Sequence, residues 1–308
     1  MKIERRALLR ATLAASTIAA AARLGTAKGI GMTRYLSFRR PDGMPSFGRI
    51  EGETVSDLGA LGAPAWMRDA LADGLKQLPV TATYARSQLR LLPLIPNPPK
   101  IICIGLNYAT HVAETGRDQK EHPAVFTRWA DTLVAHGDPL IRPSESVRFD
   151  YEGELAVIIG KKGRRIPRAR AMEHVAGYSI FNDVSVRDWQ RHNIQFTPGK
   201  NFPATGAFGP ELVTRDAIGD ITALRVQTRL NEDIVQNQPV SDLIWDIPYL
   251  IEYCSTFTEL LPGDVIATGT PGGVGDKRRP PLYMKAGDRV EVTIGDIGTL
   301  SNLVIDEA

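Results

Sequence analysis

One short stretch constrains this chain more than any other: Asp150-Tyr151-Glu152-Gly153-Glu154-Leu155-Ala156-Val157-Ile158-Ile159. Its second half is apolar and rich in β-branched residues, which reads as a strand. Strand alternation turns Glu152 and Glu154 to the same face. A strand that runs straight into Ala-Val-Ile-Ile lies near the core. Two like charges side by side there are costly unless one takes up a proton or a cation lies between them. Oxygen ligands suit a hard divalent ion, Mg2+, Mn2+ or Ca2+. The competing reading is an edge strand with both glutamates in water. Asp183, at the end of the apolar run 177–183, supplies a third acid. Alone it is as well read as a turn former, so the metal reading rests on all three acids together.

The rest of the chain is β-rich. Apolar or alternating runs predict strands over residues 100–105, 152–160, 177–183, 223–230, 264–268 and 287–294, with Leu224, Val226 and Thr228 on one face. Residues 33–58 read as a small hairpin unit. Residues 65–75 and 81–91 read as short helices, as do 108–114 and 243–256. Strands do not alternate regularly with long helices, which argues against a doubly wound parallel sheet and for an α+β fold. The segment Ile95-Pro96-Asn97-Pro98-Pro99 is a rigid break. It places a small N-terminal subdomain at 32–98 and a larger domain at 99–308.

Residues 1–31 differ in character. Arg5-Arg6 followed by Ala7-Leu8-Leu9-Arg10 resembles a twin-arginine export signal, with Ala20-Ala21-Ala22 as small residues for cleavage. That predicts a periplasmic protein; a true start at Met32 predicts a cytoplasmic one. Arg10 interrupts the weakly apolar stretch, so no stable membrane anchor is expected. A net charge of +2 gives no electrostatic case for nucleic acid. Cys103 and Cys254 sit in apolar surroundings and read as buried free thiols, and no Cys/His spacing suits zinc.

Five motifs in order resemble the catalytic domain of the fumarylacetoacetate hydrolase superfamily. Gly105-Leu106-Asn107-Tyr108-Ala109-Thr110-His111 resembles its G-x-N-Y-x-x-H segment, and Asp150 to Glu154 its D-Y-E-x-E-L strand. Asn182-Asp183-Val184-Ser185-Val186-Arg187-Asp188-Trp189-Gln190 resembles N-D-x-[ST]-x-R-D-x-Q. Gly199-Lys200-Asn201-Phe202 with Gly209-Pro210 resembles G-K-x-F … G-P. Pro262 to Pro271 resembles P-G-D-x-I-x-T-G-T-P. The resemblance covers residues 99–308.

It implies a mixed β-roll or β-sandwich with short peripheral helices, commonly a homodimer, with Mg2+ or Mn2+ held by Glu152, Glu154 and Asp183. It implies His111 and Glu114 as a catalytic pair on a short helix, and substrate contacts from Arg187, Gln190, Lys200 and Thr270. The expected substrate is a small 1,3-dioxo or 2-oxo acid, of the acylpyruvate or fumarylpyruvate kind met in aromatic catabolism. The expected reaction is hydrolysis of its C–C bond through a metal-stabilised enolate. Decarboxylation, isomerisation or hydration of a related 2-oxo acid uses the same platform, and an acid-binding protein without catalysis is the reading of another class.

Each residue type suits its place. Glu114, three residues after His111 on a helix, can hold one imidazole tautomer and stabilise the protonated ring; the same spacing also makes ordinary surface ion pairs. Lys200, after Gly199, can steady an oxyanion. Arg187 can grip a carboxylate through two parallel bonds. The glycines of residues 268–275 can turn backbone N–H groups toward an anion, although the spacing is not that of a nucleotide loop. The segment 191–198 is expected to border the pocket, and His122, His136, His174 and His192 are given no metal role.

Overall fold

The computed structural model describes residues 33–116, 118 and 120–308. The export-signal reading falls on residues outside that description. No described helix is long and apolar enough to cross a membrane.

The strand Gly153–Ile159 is buried at every position. It pairs antiparallel with Val175–Asp183 on one side and with Val265–Ala267 on the other. Alternation divides its side chains between two apolar clusters. Leu155, Val157 and Ile159 enter one with Val226, Val290, Val292 and Leu250. Ala156 and Ile158 enter the other with Ile101, Cys103, Phe181 and Phe208. A strand buried on both faces needs a continuous apolar run, and residues 155–159 supply it. Glu152 and Glu154 precede that run and share the parity of Ala156 and Ile158.

The strand belongs to a large mixed sheet. Its main path runs Ala82–Ala85, Thr54–Asp57, Pro45–Glu51, Arg34–Arg39, Gly206–Thr214, Val175–Asp183, Gly153–Ile159, Val265–Ala267, Ile101–Gly105 and Ala124–Thr127. A second sheet runs Asp233–Pro239, Arg225–Leu230, Arg289–Ile294, Gly298–Asp306 and Leu140–Arg142. Val226 and Thr228 share its buried face with Leu230. The helices are short, and the architecture is β-rich α+β, as the strand pattern predicts. Cys103 and Cys254 are free and buried, as expected.

Three local outcomes differ from the pattern reading. Residues 81–91 form the strand Ala82–Ala85, a 3-10 turn and the short strand Arg90–Leu91 rather than a helix. The mixed local pattern is overridden by pairing with Thr54–Asp57. The strand Gly206–Thr214, buried throughout, is not among the strands the pattern predicts, and it carries Gly209 and Pro210 in its middle. There the ladder to Val175–Asp183 shifts register, which is where a sheet tolerates proline. The helix expected over 243–256 begins later, at Ile247–Phe257. The backbone amides of Ile244 and Trp245 bind Asn107, and Asp246 caps the helix by accepting from Tyr249 N.

Gly153, between the two glutamates, lies where the sheets meet. A Cβ there would sit 2.2 Å from Thr228 Oγ1 and 2.9 Å from Val292 Cγ1. Gly153→Ala is therefore expected to lower folding stability by about 1–3 kcal/mol, the usual cost of overpacking a core. Denaturant unfolding checks this; a change near zero would mean that the sheets are not interlocked at this residue.

Candidate active site

Glu152 and Glu154 stand at the mouth of the central strand, and Asp183 ends its neighbour. Asp183 N donates to Glu152 O at 2.9 Å, so the strand ladder itself brings the third acid beside the first. Ligand oxygens of all three lie within 4.8 Å of one another. The residues are 6%, 2% and 0% exposed, which rules out the edge-strand reading with solvated glutamates.

Three buried cations answer these acids. Lys200 Nζ donates to Glu152 Oε2 at 2.5 Å, to Asp183 Oδ2 at 2.7 Å and to Asp183 O at 2.9 Å. Arg128 Nε donates to Asp183 Oδ1 at 2.8 Å. Arg187 places Nη1 2.6 Å from Glu152 Oε1 and donates from Nε to Asp150 Oδ2 at 2.7 Å. Four buried carboxylates, with Asp150 the fourth, thus face three buried cations. The excess falls on Glu154, which receives one backbone bond, from Gly269 N at 2.9 Å. Burial and the neighbouring Asp183 and Glu152 raise its pKa well above the ordinary carboxylate range. Glu152 goes the other way: burial opposes its charge, but Arg187, Lys200 and His111 outweigh that and hold it at about 2. The donor set fits a divalent ion. It is all oxygen, it carries one uncompensated charge, and each oxygen of Glu152, Glu154 and Asp183 named here keeps a lone pair beyond its present hydrogen bond. With a dication the cluster becomes net positive, which suits an anionic ligand.

The triad opens into a pocket bordered by His111, Arg187, Gln190, Lys200 and Thr270, with Leu106, Phe126, Phe196 and Val274 as an apolar wall. Of the nine residues singled out from the sequence, seven line this pocket; Asp183 lies behind the lining, bonded to Lys200, and Glu114 stands one bond behind His111. His111 Nδ1 lies 2.7 Å from Glu114 Oε1. Glu114 Oε2 in turn accepts from Gly273 N at 2.7 Å. The dyad is a braced pair in a half-buried setting, not an exposed surface pair. Phe196, in the segment expected to border the pocket, lines it, whereas Ile194 points to solvent.

Several partners differ from expectation. Three amides of residues 268–275 do point at anions, but the anions are the protein's own: Glu154, Glu114 and Asp150 accept from Gly269, Gly273 and Gly275. All three donors of Lys200 are engaged by protein oxygens. Arg187 has its Nε and Nη1 taken by Asp150, Glu152 and Gln190, so Nη2 alone is left, buried and without a partner. Thr270 Oγ1 donates to Gly153 O at 3.0 Å and accepts from Gln236 Nε2 at 2.8 Å.

The model of the fumarylacetoacetate (FAA) hydrolase C-terminal domain matches residues 100–305. The chain belongs to the fumarylacetoacetate hydrolase family. It is 46% identical over 226 residues to oxaloacetate tautomerase YisK of Bacillus subtilis, covering 72% of this chain and 75% of that protein. It is 40% identical over 267 residues to the mitochondrial oxaloacetate tautomerase fahd2 of Xenopus laevis, covering 83% and 84%. Among solved structures, a fumarylacetoacetate hydrolase from Exiguobacterium antarcticum is similar with a TM-score of 0.76 at 34% identity, covering 89% of this chain and all of that one. A 2-hydroxyhepta-2,4-diene-1,7-dioate isomerase from Mycobacterium marinum is similar with a TM-score of 0.74 at 30% identity, covering 90% and 99%. These relatives are enzymes named for tautomerisation, isomerisation and hydrolysis, so membership in the family supports an enzyme without selecting hydrolysis.

Three residues of this family member escaped the sequence reading. Arg128 follows the strand Ala124–Thr127 with no motif around it, and only the fold sets it against Asp183. Asp150 was visible in the motif but had no partner in sequence. In the structure it receives Gly275 N, Asp276 N and Arg187 Nε. Gln236, from the second sheet, reaches Gly153 N, Thr270 and Pro271 O.

Two outcomes follow. Arg128→Leu leaves Asp183 with Lys200 as its remaining buried cation and removes the bonds to Thr205 and Val184 O; it is expected to cost about 3 kcal/mol in urea unfolding, the low end of the penalty for removing one partner of a buried pair. Mn2+ is expected to raise the unfolding temperature of the wild-type protein and not that of Asp183→Asn. An equal rise in both would place the ion elsewhere.

Proposed function

We propose that this protein catalyses metal-dependent keto–enol tautomerisation of a small 2-oxo acid of the oxaloacetate class. The observation that carries the reading is the meeting, in one pocket, of a braced base, His111, with the acid triad and the one unpartnered nitrogen of Arg187. The two curated relatives described above, both oxaloacetate tautomerases, support the choice of reaction.

With Nδ1–H held by Glu114, the Nε2 lone pair of His111 is free to act as a base toward the pocket. It takes a proton from the carbon beside the 2-oxo group. The C–H electron pair becomes the C=C bond, and the oxygen receives a proton back from the imidazolium, so charge and atoms balance. Glu114 stabilises the imidazolium in between. A divalent ion on Glu152, Glu154 and Asp183 would supply Lewis-acid polarisation of the 2-oxo group. Arg187 Nη2 donates to the adjoining carboxylate. Lys200, its donors already engaged, acts through its field and holds Glu152 and Asp183 in place. Phe126, Phe196, Leu106 and Val274 limit water near the reacting carbon, which favours return of the proton to substrate.

A second reading is hydrolysis of an acylpyruvate or fumarylpyruvate C–C bond, favoured by the same His111–Glu114 pair, which can deprotonate water as readily as carbon. Oxaloacetate, an acylpyruvate and fumarylpyruvate with Mg2+ or Mn2+ separate the two: enol absorbance relaxing with no new products marks tautomerisation, and two product acids mark hydrolysis. No turnover of any of them would leave the acid-binding reading. Assembly as a homodimer and export through the twin-arginine route are further proposals of the sequence, tested by sedimentation and by cell fractionation.

His111→Asn is expected to lower the rate by about 10²–10⁴, the usual share of a positioned general base, with Mn2+ affinity unchanged. Retention of full activity would remove His111 from the chemistry.

A further inference from the structure

The pocket carries one cation that its own acids do not consume. Arg187 and Lys200 are bonded into the buried cluster, and Arg191 at the mouth pairs with Asp276. Lys277 borders the same pocket, with its side chain 29% exposed. Its ammonium lies 4.0 Å from Asp276 Oδ2, beyond hydrogen-bond distance. Among the described residues, no hydrogen bond donated by Lys277 is found. Arg191 bonds Asp276 directly and Lys277 only faces it at ion-pair distance, so the three N–H donors of the Lys277 ammonium remain available at the mouth.

The segment that carries Lys277 is fixed to the deep end of the site. Gly275 N and Asp276 N donate to Asp150 Oδ1 and Oδ2 at 2.8 and 2.9 Å. The same Oδ2 accepts Arg187 Nε at 2.7 Å. Asp276 N and the Arg187 guanidinium therefore lie within the combined length of two hydrogen bonds. A Cβ at Gly275 would sit 1.8 Å from Leu282 O, so only glycine permits this approach. Tyr283 OH donates to Asp276 Oδ1 at 2.9 Å and fixes the residue next to Lys277 from the other side. The chain thus sets an unspent ammonium one residue beyond a backbone position locked to the arginine that has one unspent nitrogen.

We infer that Lys277 is a specificity-determining residue that binds the distal carboxylate of a short 2-oxo dicarboxylate, while Arg187 Nη2 takes the proximal one. The inference rests on the 2-oxo acid reading above and assigns the residue that would select a dianion within it. A monocarboxylate of equal length leaves Lys277 idle.

Oxaloacetate and 2-oxobutyrate test this, because they match in carbon count and differ in the distal group. Binding of each is measured to the full chain with Mg2+, alongside turnover of oxaloacetate. Lys277→Met is expected to weaken oxaloacetate binding by about tenfold or more, the range of a charged hydrogen bond. It should raise KM with little change in kcat. It should leave 2-oxobutyrate binding and the unfolding temperature as in wild type, and Lys277→Arg should keep most of the preference. Equal effects on both acids, or no effect on either, overturn the role of Lys277, and continued turnover of oxaloacetate by the wild type then leaves the underlying reading standing. A wild-type protein that neither binds nor turns over either acid overturns both.

Discussion

The site depends on a surplus of negative charge held inside the protein. Asp150, Glu152, Glu154 and Asp183 are all buried, and Arg128, Arg187 and Lys200 offset three of the four charges. A buried carboxylate without a partner is costly enough that it takes up a proton or acquires a cation. Glu154 is the member left over, and its raised pKa expresses that pressure. The same imbalance suits the cluster to a dication, and the resulting positive charge would suit the proposed oxo acid anion.

Around this cluster the protein spends its polar groups on its own parts. The glycine-rich loop after Val265–Ala267 gives amides to Glu154, Glu114 and Asp150, and so ties the strand of Glu154, the helix of His111 and Glu114, and Arg187 through Asp150, to one segment. Pre-formed hydrogen bonds of this kind hold reacting groups without reorganisation during the reaction. They also leave few donors free for substrate, which makes each remaining one informative. Arg187 Nη2 in the interior, Gln190 Nε2 in the pocket wall and Lys277 at the mouth are among the side-chain donors left unspent by the described residues.

Much of this was legible in one dimension. The alternation of Glu152 and Glu154 put both acids on one face, the apolar run behind them put that face near the core, and the i,i+3 spacing of His111 and Glu114 proved to be a real contact. These are local geometries, set by the periods of strand and helix. The register shift that admits Pro210 to a buried strand was not legible, since it depends on a partner strand distant in sequence. Nor was the strand Ala82–Ala85, whose composition reads otherwise until Thr54–Asp57 lies beside it.

Residue type and short-range spacing were enough for the fold class and for the shared face of Glu152 and Glu154, and the order of motifs that resembles the family added Asp183 as a ligand and His111 with Glu114 as a pair. Only the tertiary structure decided how charge is balanced. Arg128 faces Asp183, Lys200 bridges Glu152 and Asp183, and Arg187 is tied to Asp150 because sheet register and loop closure bring them within reach across 17 to 55 residues of chain. Electrostatic energy depends on distance in space, and separation along the chain says nothing about it until the sheets have formed.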